Sequence, residues 1–213
     1  MIVVGIPLYR SLPATFFAHW LRMDKTKVAA TVTVEGVYLT HAMTTLVTMA
    51  LEHKDWDRLV IMEHDVIPPV GAFERIAEYG PDKHIVGPLM FQHVPPYTAM
   101  VFGEDPDPEG TVLPFGPDIV KQIADNPALY ACSAVSFGFT AIHRDVLEGW
   151  SPGLPMFVHD NDTSHDVYFC SRAREQGFGV FVDSTLLCDH LTEMPINVNH
   201  NQGWAAAHPP EET

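Results

Sequence analysis

Short apolar runs alternate with amphipathic segments over the first half of the chain, and this alternation restricts the possible folds more than any other feature. Strands alternating with helices favour a mostly parallel sheet, because the connection between two parallel strands must cross the sheet. Ligands of such sheets bind beyond the carboxyl ends of the strands. The expected strands are residues 2–6, 28–34, 58–62 and 84–90, and the expected helices between them are 13–23, 41–53, with an N-cap at Thr40, and 69–79.

The second half of the chain is less regular. Residues 92–117 are rich in Pro and Gly, and the acidic stretch 104–110 is predicted to turn a hairpin. We expect one catalytic domain over residues 1–191, followed by a polar C-terminal tail over 192–213. The remaining elements of this domain are expected to be a helix at 117–126, strand material at 129–143 broken at Gly138, a loop at 150–162, a helix at 164–176 and a strand at 179–183.

Composition and charge exclude some classes of protein. The 213 residues are 46% hydrophobic and 18% charged, which argues against disorder. Lys and Arg number 12 against 27 Asp and Glu, for a formal charge of −15. Such an excess of acid disfavours general binding to nucleic acid, which depends on cations that neutralise phosphates. An anionic ligand must therefore be held locally, by backbone amides, a few cations or a metal.

The cysteines and the lengths of the apolar runs indicate in which cellular compartment the protein is expected. Cys132, Cys170 and Cys188 show no paired short spacing, so reduced thiols are expected. No basic region precedes the apolar run 2–6, and no stretch has the length of a membrane-spanning helix. These features predict a cytoplasmic protein without a membrane span.

The first candidate site is Glu63-His64-Asp65, directly after the expected strand 58–62. The Pro pair that follows indicates a new helix, so both carboxylates should lie at the ligand-binding edge of the sheet. Carboxylate oxygens suit hard divalent cations such as Mg²⁺ or Mn²⁺. An ordinary solvated strand end is the alternative reading of so short a motif.

The second and third candidates each have a structural alternative. Asp166 lies near the start of an expected helix, where it could act as a general base or, from its spacing to Thr163, complete a capping box. His190 follows the last expected strand and could complete a metal site begun by Asp65. In a chain with 12 histidines, a purely structural role for His190 stays open.

Together these motifs resemble a GT-A-fold glycosyltransferase, closest to the large inverting family two. The resemblance also rests on Pro7-Leu8-Tyr9-Arg10, on the segment 136–144 and on the helix 165–177, and it extends from Met1 to about Leu191. It implies a GT-A fold, which is Rossmann-like, with a mostly parallel mixed sheet flanked by helices.

The resemblance implies roles for matching residues. Asp65, His190 and Glu63 would bind the divalent cation, with the nucleotide ribose as a second possible partner of Glu63, and Asp166 would be the catalytic base. His165 stands where the family has a Glu. Donor-binding residues would be Pro7, Tyr9, Arg10, Glu35, Glu63 and His64. The sugar and acceptor cleft would include Phe137, Gly138 and Phe139, with His165 and with Trp150, for which a core role is an equal alternative.

The expected activity is transfer of a sugar from a nucleotide diphosphate, most simply a UDP-sugar, to an acceptor hydroxyl with inversion. The cofactor would be Mn²⁺ or Mg²⁺, and the acceptor could be a glycan, a protein, a small molecule or, less readily, modified DNA. A non-catalytic nucleotide- or glycan-binding module on the same fold is one alternative. A sugar nucleotidyltransferase is another, although the first loop lacks the Gly run that such enzymes normally carry.

Overall fold

The structure is a computed structural model that describes residues 1–8, 11–104, 112–161, 163–192 and 201–203. The strands are β1 Ile2–Leu8, β2 Val28–Glu35, β3 Arg58–Met62, β4 Val66–Ile67, β5 Ile85–Leu89, β6 Val101–Glu104, β7 Val112–Pro114, β8 Leu129–Ala131, β9 Ala134–Val135, β10 Phe139–His143, β11 Val180–Leu187 and β12 Asp189–His190. The helices are α1 Ala14–Arg22, α2 Leu39–Glu52, α3 Ala72–Ala77, α4 Pro117–Asp125, α5 Arg144–Glu148 and α6 His165–Glu175.

Seven strands form the central sheet, in the order β2-β1-β3-β10-β5-β11-β8. β1 pairs in parallel with β2 and β3, and β5 pairs in parallel with β11. β10 runs antiparallel between β3 and β5, and β8 runs antiparallel at the edge beside β11. The mostly parallel mixed sheet expected from the sequence is confirmed.

The sheet is covered on both faces. Along β1, Val3 packs on one face with Met43 and Leu46 of α2, while Val4 packs on the other with Phe16 of α1. α4 and α6 also cover the first face, and α3 also covers the second. A strand that is buried on both faces has a continuous run of apolar residues in the sequence. The positions of β1 and β3 could therefore be predicted closely from the sequence.

A two-stranded ribbon, β4 with β12, lies outside the main sheet and was not expected. In this antiparallel pair His190 faces Val66, and Asp189 faces Ile67. A shift in the pairing of β11 with β5 between Asp183 and Leu187 precedes the ribbon. The ribbon joins the segment after β3 to the segment after β11, and so brings two of the candidate motifs together.

A buried carboxylate anchors the strand that leads into this ribbon. Asp183 is fully buried, and its Oδ2 accepts hydrogen bonds from Arg75 Nε at 2.8 Å and from the Tyr79 hydroxyl at 2.7 Å. Its Oδ1 accepts hydrogen bonds from the backbone N–H of Thr185 at 2.9 Å and from Thr185 Oγ1 at 2.6 Å. These contacts tie β11 to the end of α3 where the pairing of the strand changes.

Three local expectations can be compared with the structure. The N-cap prediction at Thr40 is wrong, because α2 begins at Leu39. The predicted capping box at Thr163 is wrong, because the N-cap of α6 is Ser164 and its side chain makes no capping hydrogen bond. The predicted hairpin has antiparallel strands β6 and β7, and its turn, residues 105–111, lies outside the described residues.

Candidate functional site

The segment Glu63-His64-Asp65 forms a tight turn at the carboxyl end of β3. The backbone N–H of Glu63 donates a hydrogen bond to the carbonyl oxygen of Gly138 at 2.8 Å, and the N–H of Val66 donates to the carbonyl oxygen of Glu63 at 3.2 Å. The first bond fixes the turn to the start of β10. The second reverses the chain, so that the motif sits at the sheet edge before β4.

Asp65 and His190 meet across the β4–β12 ribbon. The N–H of Leu191 donates to the carbonyl oxygen of Asp65 at 2.6 Å. His190 Nδ1 lies 2.9 Å from the carbonyl oxygen of Phe91, so this nitrogen is the donor of that hydrogen bond. The other ring nitrogen, Nε2, lies 3.5 Å from Asp65 Oδ2. A carbonyl that orients a histidine in this way is the usual support for a metal-binding imidazole.

The residues present fit a divalent cation. Asp65 Oδ1 is buried without a hydrogen-bond partner in the described part of the chain, and Nε2 of the fixed His190 ring faces the same carboxylate. The carboxylate suits Mn²⁺ or Mg²⁺, and the imidazole is a ligand typical of transition-metal ions, so the pair is compatible with Mn²⁺. Within the described ranges no group of three or more His, Cys, Asp or Glu side chains is arranged to hold a metal. A cation held by Asp65 and His190 would take its further ligands from water, from oxygen atoms of a bound substrate or from residues outside the described ranges.

Electrostatics connect Asp166 to this cluster. The pKa of Glu63 is raised to about 7, mainly by burial and also by the charges of Asp65 and Asp166, while His190 opposes the shift. Burial would also raise the pKa of Asp65, but the interaction with His190 outweighs it and holds that pKa below its usual value. The same interaction with Asp65 raises the pKa of His190 against the opposing effect of burial. The charges of Asp65, Asp166 and His190 therefore all act on Glu63.

Asp166 lies in the first turn of α6 and is nearly fully buried. Its hydrogen bonds within the described residues both end on Oδ1, which accepts from the Ser164 hydroxyl and from the N–H of Val167 at 2.8 Å. This arrangement fixes the carboxylate and leaves Oδ2 available for a proton. The capping-box interpretation of Asp166 is not supported, because the N-cap is Ser164 and not Thr163. Its role as a base stays a prediction.

His165, next to Asp166, is also buried, and neither ring nitrogen has a hydrogen-bond partner in the described residues. Burial lowers the pKa of His165, although the neighbouring Asp166 acts in the opposite direction. The ring stands edge-on to Phe137, with ring centroids 6.1 Å apart. A neutral imidazole in an aromatic environment therefore precedes the candidate base.

A cavity of about 390 Å³ opens beside the motif. It lies between the carboxyl ends of β1 and β3 and the loop that leads into α2, as expected for a ligand site of a parallel sheet. Tyr38, on this loop, is 90% exposed, which leaves its ring free to contact a ligand. The lining residues are Pro7, Leu8, Val37, Tyr38, Leu39, Ala42, Glu63, His64 and Asp65.

Of the six expected donor-binding residues, Pro7, Glu63 and His64 line this cavity. Glu35 does not. It ends β2 opposite Leu8 and is exposed to solvent. Tyr9 and Arg10 lie outside the described residues.

The expectation that aromatic residues line the acceptor cleft is wrong for three side chains. Phe137 and Phe139 are buried in the cores on opposite faces of the sheet. Trp150 stacks on Phe169 with centroids 4.7 Å apart, so its core role is the correct alternative. Their size and lack of charge make them more stable in the interior than at the site.

Gly138 is also packed. A Cβ atom at Gly138 would lie 2.7 Å from Met90 Cε and 2.9 Å from Val66 Cγ2. Gly138 therefore supports the site through its carbonyl bond to Glu63 and presents no surface for a sugar.

Sequence reasoning missed several residues around the site. Val37, Tyr38 and Leu39 form a wall of the cavity, and their signal was an apolar run in the loop after Gly36, which has a φ of 73°. His93 was also missed. Its ring contacts that of His190 edge-on, with centroids 4.8 Å apart. No pattern around His93 marks it, because the contact arises from a loop that folds back over the ribbon.

Comparison with known proteins shows which solved structures are similar to this fold. No protein-family model matches the sequence, and no curated protein matches it either. Among solved structures, A197 from STIV is similar with a TM-score of 0.66 and 18% identity, over 93% of this chain and 91% of that one. GalNAc-T7, solved with UDP, GalNAc and Mn²⁺, is similar with a TM-score of 0.62 and 11% identity, over 90% of this chain and 44% of that one.

These likenesses establish the GT-A fold. At such low identity they concern the fold alone. They give no support to the narrower assignment to the inverting family two.

Proposed function

We propose that the protein is a metal-dependent glycosyltransferase that moves a sugar from a nucleotide diphosphate to an acceptor hydroxyl, with inversion at the sugar. The observation that carries the proposal is the meeting of Asp65 with His190 at the carboxyl edge of a GT-A sheet, next to a cavity of about 390 Å³ that Glu63 and Asp65 line. The charge of Asp166 acts on Glu63 at the same edge. The similar GalNAc-T7, solved with UDP, GalNAc and Mn²⁺, supports a nucleotide sugar as donor. We take UDP as the nucleotide and Mn²⁺ or Mg²⁺ as the cation.

The cavity suits a nucleoside diphosphate because its two ends differ in chemistry. Val37, Tyr38 and Leu39 offer an apolar wall on which a nucleobase can stack. Glu63, His64 and Asp65 line the other side, where the diphosphate and ribose would lie. The chain has few cations, so a metal is the natural source of positive charge for the diphosphate.

Asp65 and His190 would hold this metal, with the donor diphosphate supplying further oxygen ligands. Asp65 contributes the buried Oδ1 that has no other partner in the described residues, and His190 contributes Nε2. When bound, the cation would stabilise the negative charge that develops on the leaving diphosphate. Glu63 would contact the ribose or remain protonated beside the metal, consistent with its raised pKa.

Asp166 is the proposed base. Its Oδ2 accepts the proton of the acceptor hydroxyl while the oxygen of that hydroxyl forms a bond to the anomeric carbon. The bond between this carbon and the diphosphate breaks, and its electrons leave with the nucleoside diphosphate. The hydrogen bonds of Ser164 and Val167 to Oδ1 keep the carboxylate in place during the transfer.

A screen of nucleotide sugars tests the donor side. Thermal shift is measured for each donor with Mn²⁺ and with a chelator. We expect stabilisation by one nucleotide class with Mn²⁺ present, and we expect Asp65→Asn to abolish it. Equal stabilisation by every donor with and without metal would refute the donor site proposed here.

The assigned base has its own test. Asp166→Asn should retain metal-dependent donor binding and lose donor turnover by a factor of about 10² or more. Asp145→Asn, an exposed acid in α5, is the matched control and should keep full turnover. Unchanged turnover in Asp166→Asn would exclude it as the base. Donor binding without turnover in the unaltered protein, across a broad set of acceptors, would favour a binding module.

A further inference from the structure

Helix α1 has an apolar outer face that nothing in the described structure covers. Its inner face packs on the sheet through the buried Phe16, and Met23, directly after the helix, is buried in the same cluster. On the outer face Phe17 is 50% exposed and Leu21, one turn later, is 64% exposed. Leu12, in the segment before the helix, is 40% exposed. Large apolar side chains grouped in this way on a helix surface indicate a contact site.

The cations beside this face are not neutralised by a close ion pair in the described part of the chain, although the charge of Lys25 acts on Asp24. Arg22, Lys25 and Lys27 make no ion pair with a carboxylate of the described residues. Lys25 Nζ instead donates to two backbone carbonyls, and Arg22 Nε to one. Most other Lys and Arg side chains are neutralised by a nearby acid, namely Arg75, Lys83, Lys121, Arg144 and Arg172.

The outer face lies near the candidate site. α1 packs on the β4 segment that follows Asp65. The imidazole of His19, buried on its inner side, interacts with the backbone of Pro68 and with the charge of Asp189, next to His190. A surface to which α1 attached would therefore lie close to the edge of the sheet where the acceptor must enter.

We propose that this face of α1 docks on an anionic lipid surface and that the acceptor is presented there. Apolar side chains flanked by Lys and Arg are the pattern of a helix that lies in the headgroup region of a bilayer. The chain carries a net charge of −15, so an anionic membrane repels most of its surface. The three cations of residues 22–27 would attract such a membrane and so orient the protein on it. The inference rests on the proposed function for the acceptor, but lipid binding does not depend on catalysis.

The carboxylate nearest to these cations does not prevent such docking. Asp24 is exposed and accepts a hydrogen bond from the N–H of Thr26 at 2.8 Å. Glu74 also contacts Asp24, so three cations face two acids here and the local charge stays positive. No described helix is long and apolar enough to cross a membrane.

Flotation with lipid vesicles tests the proposal on the full chain. One set of vesicles contains phosphatidylcholine alone, and in the other part of it is replaced by phosphatidylglycerol. We expect binding to the anionic set only, and weaker binding as salt is raised. Arg22→Gln with Lys27→Gln should weaken binding about 30-fold, because each cation contributes about 1 kcal/mol at such a surface. Phe17→Ala with Leu21→Ala should weaken it about tenfold.

Matched variants control for general effects. Leu113→Ala with Ile119→Ala removes apolar side chains that are exposed to a similar degree elsewhere, and Lys54→Gln removes a cation that lies far along the chain. All of these variants should bind anionic vesicles as the unaltered protein does. Nucleotide binding followed by thermal shift should persist in every variant. If the unaltered protein did not bind nucleotide, the proposed function would be refuted, but the result on lipid binding would still stand.

Three results would overturn the proposal. The first is equal binding to neutral and anionic vesicles, or no binding to either at low salt. The second is an equal loss of binding in the control variants. The third is a dimer in solution that Phe17→Ala with Leu21→Ala dissociates, which would assign the face to a second copy of the chain.

Discussion

Replacement of Asp183 by Ala should destabilise the fold and loosen the strand that carries His190. The carboxylate has no solvent exposure, and its hydrogen bonds come from Arg75, Tyr79 and Thr185. Alanine removes the acceptor for all of these donors at once. The change falls in β11 where its pairing with β5 shifts, ahead of the ribbon that positions His190.

The loss of unfolding free energy in Asp183→Ala depends on which of the hydrogen-bond donors can be hydrated once the carboxylate is removed. Thr185 is exposed and Arg75 is 37% exposed, so solvent can hydrate both after the change. The hydroxyl of Tyr79 is held in a partly buried site, where loss of a charged acceptor is more costly. Hydrogen bonds to a charged group contribute roughly 1.5–3 kcal/mol each when they cannot be replaced. We therefore expect a loss of about 3 kcal/mol, or roughly 6–12 °C in Tm.

Urea denaturation followed by circular dichroism measures the free energy of unfolding, and its pH dependence identifies the charge. Burial tends to raise the pKa of Asp183, but the hydrogen bonds from Thr185, Tyr79 and Arg75 outweigh burial and lower it below the ordinary 3.8. A lowered folded-state pKa gives stability that is complete above 3.8 and lost as the pH falls through the folded-state pKa. The advantage of Asp183 over Asp183→Asn should therefore shrink as the pH is lowered below about 4.

The control is Asp82→Ala, which removes an exposed acid paired with Lys83 and should change stability by less than about 0.5 kcal/mol. A double-mutant cycle with Tyr79→Phe measures how much of the loss belongs to the hydroxyl. Equal stability of Asp183→Ala and the unaltered protein at neutral pH would refute the reasoning. So would an advantage over Asp183→Asn that stays constant as the solution is acidified.

Three further predictions concern the packing around the site. Gly138→Ala should lower the free energy of unfolding by about 1–3 kcal/mol in urea titrations, because its Cβ would overlap Met90, and an unchanged value would contradict the contacts described. Phe169→Ala should lower it by about 3–5 kcal/mol, since the ring stacks on Trp150, and a loss below 1 kcal/mol would argue against that packing. His165→Gln should make stability less sensitive to acidification. Burial lowers the folded-state pKa of His165 below 6.5, so the unfolded chain takes up the proton first and the free energy of unfolding falls as the pH drops below 6.5. Parallel curves of stability against pH for the two proteins would exclude this.

The main sheet could be predicted from the sequence because its strands are buried on both faces. The apolar run 2–6 became β1 at Ile2–Leu8, and the run 58–62 became β3 with the same bounds. The order of the strands and the antiparallel direction of β10 could not be predicted, since they depend on contacts between distant segments. The ribbon of β4 and β12 has two residues in each strand, too few for any periodicity.

At the site, the polar residues were easier to find than the apolar ones. Glu63 and Asp65 follow a buried strand, and their position at the sheet edge follows from its direction. Apolar residues give no such signal, because a core and a ligand pocket select the same side chains. Phe139 was therefore expected in the cleft and lies in the core, while Tyr38 was missed and lines the cavity.

Calorimetric titration of UDP tests the central claim most directly, because it measures the metal-dependent nucleotide site without need of an acceptor. The account predicts that UDP binds in the presence of Mn²⁺, that binding is lost in a chelator, and that Asp65→Asn loses it even with Mn²⁺. Asp57→Asn, an exposed acid at the opposite end of β3, should bind UDP normally. Binding of UDP with equal affinity in Mn²⁺ and in chelator, or undiminished binding by Asp65→Asn, would contradict the account.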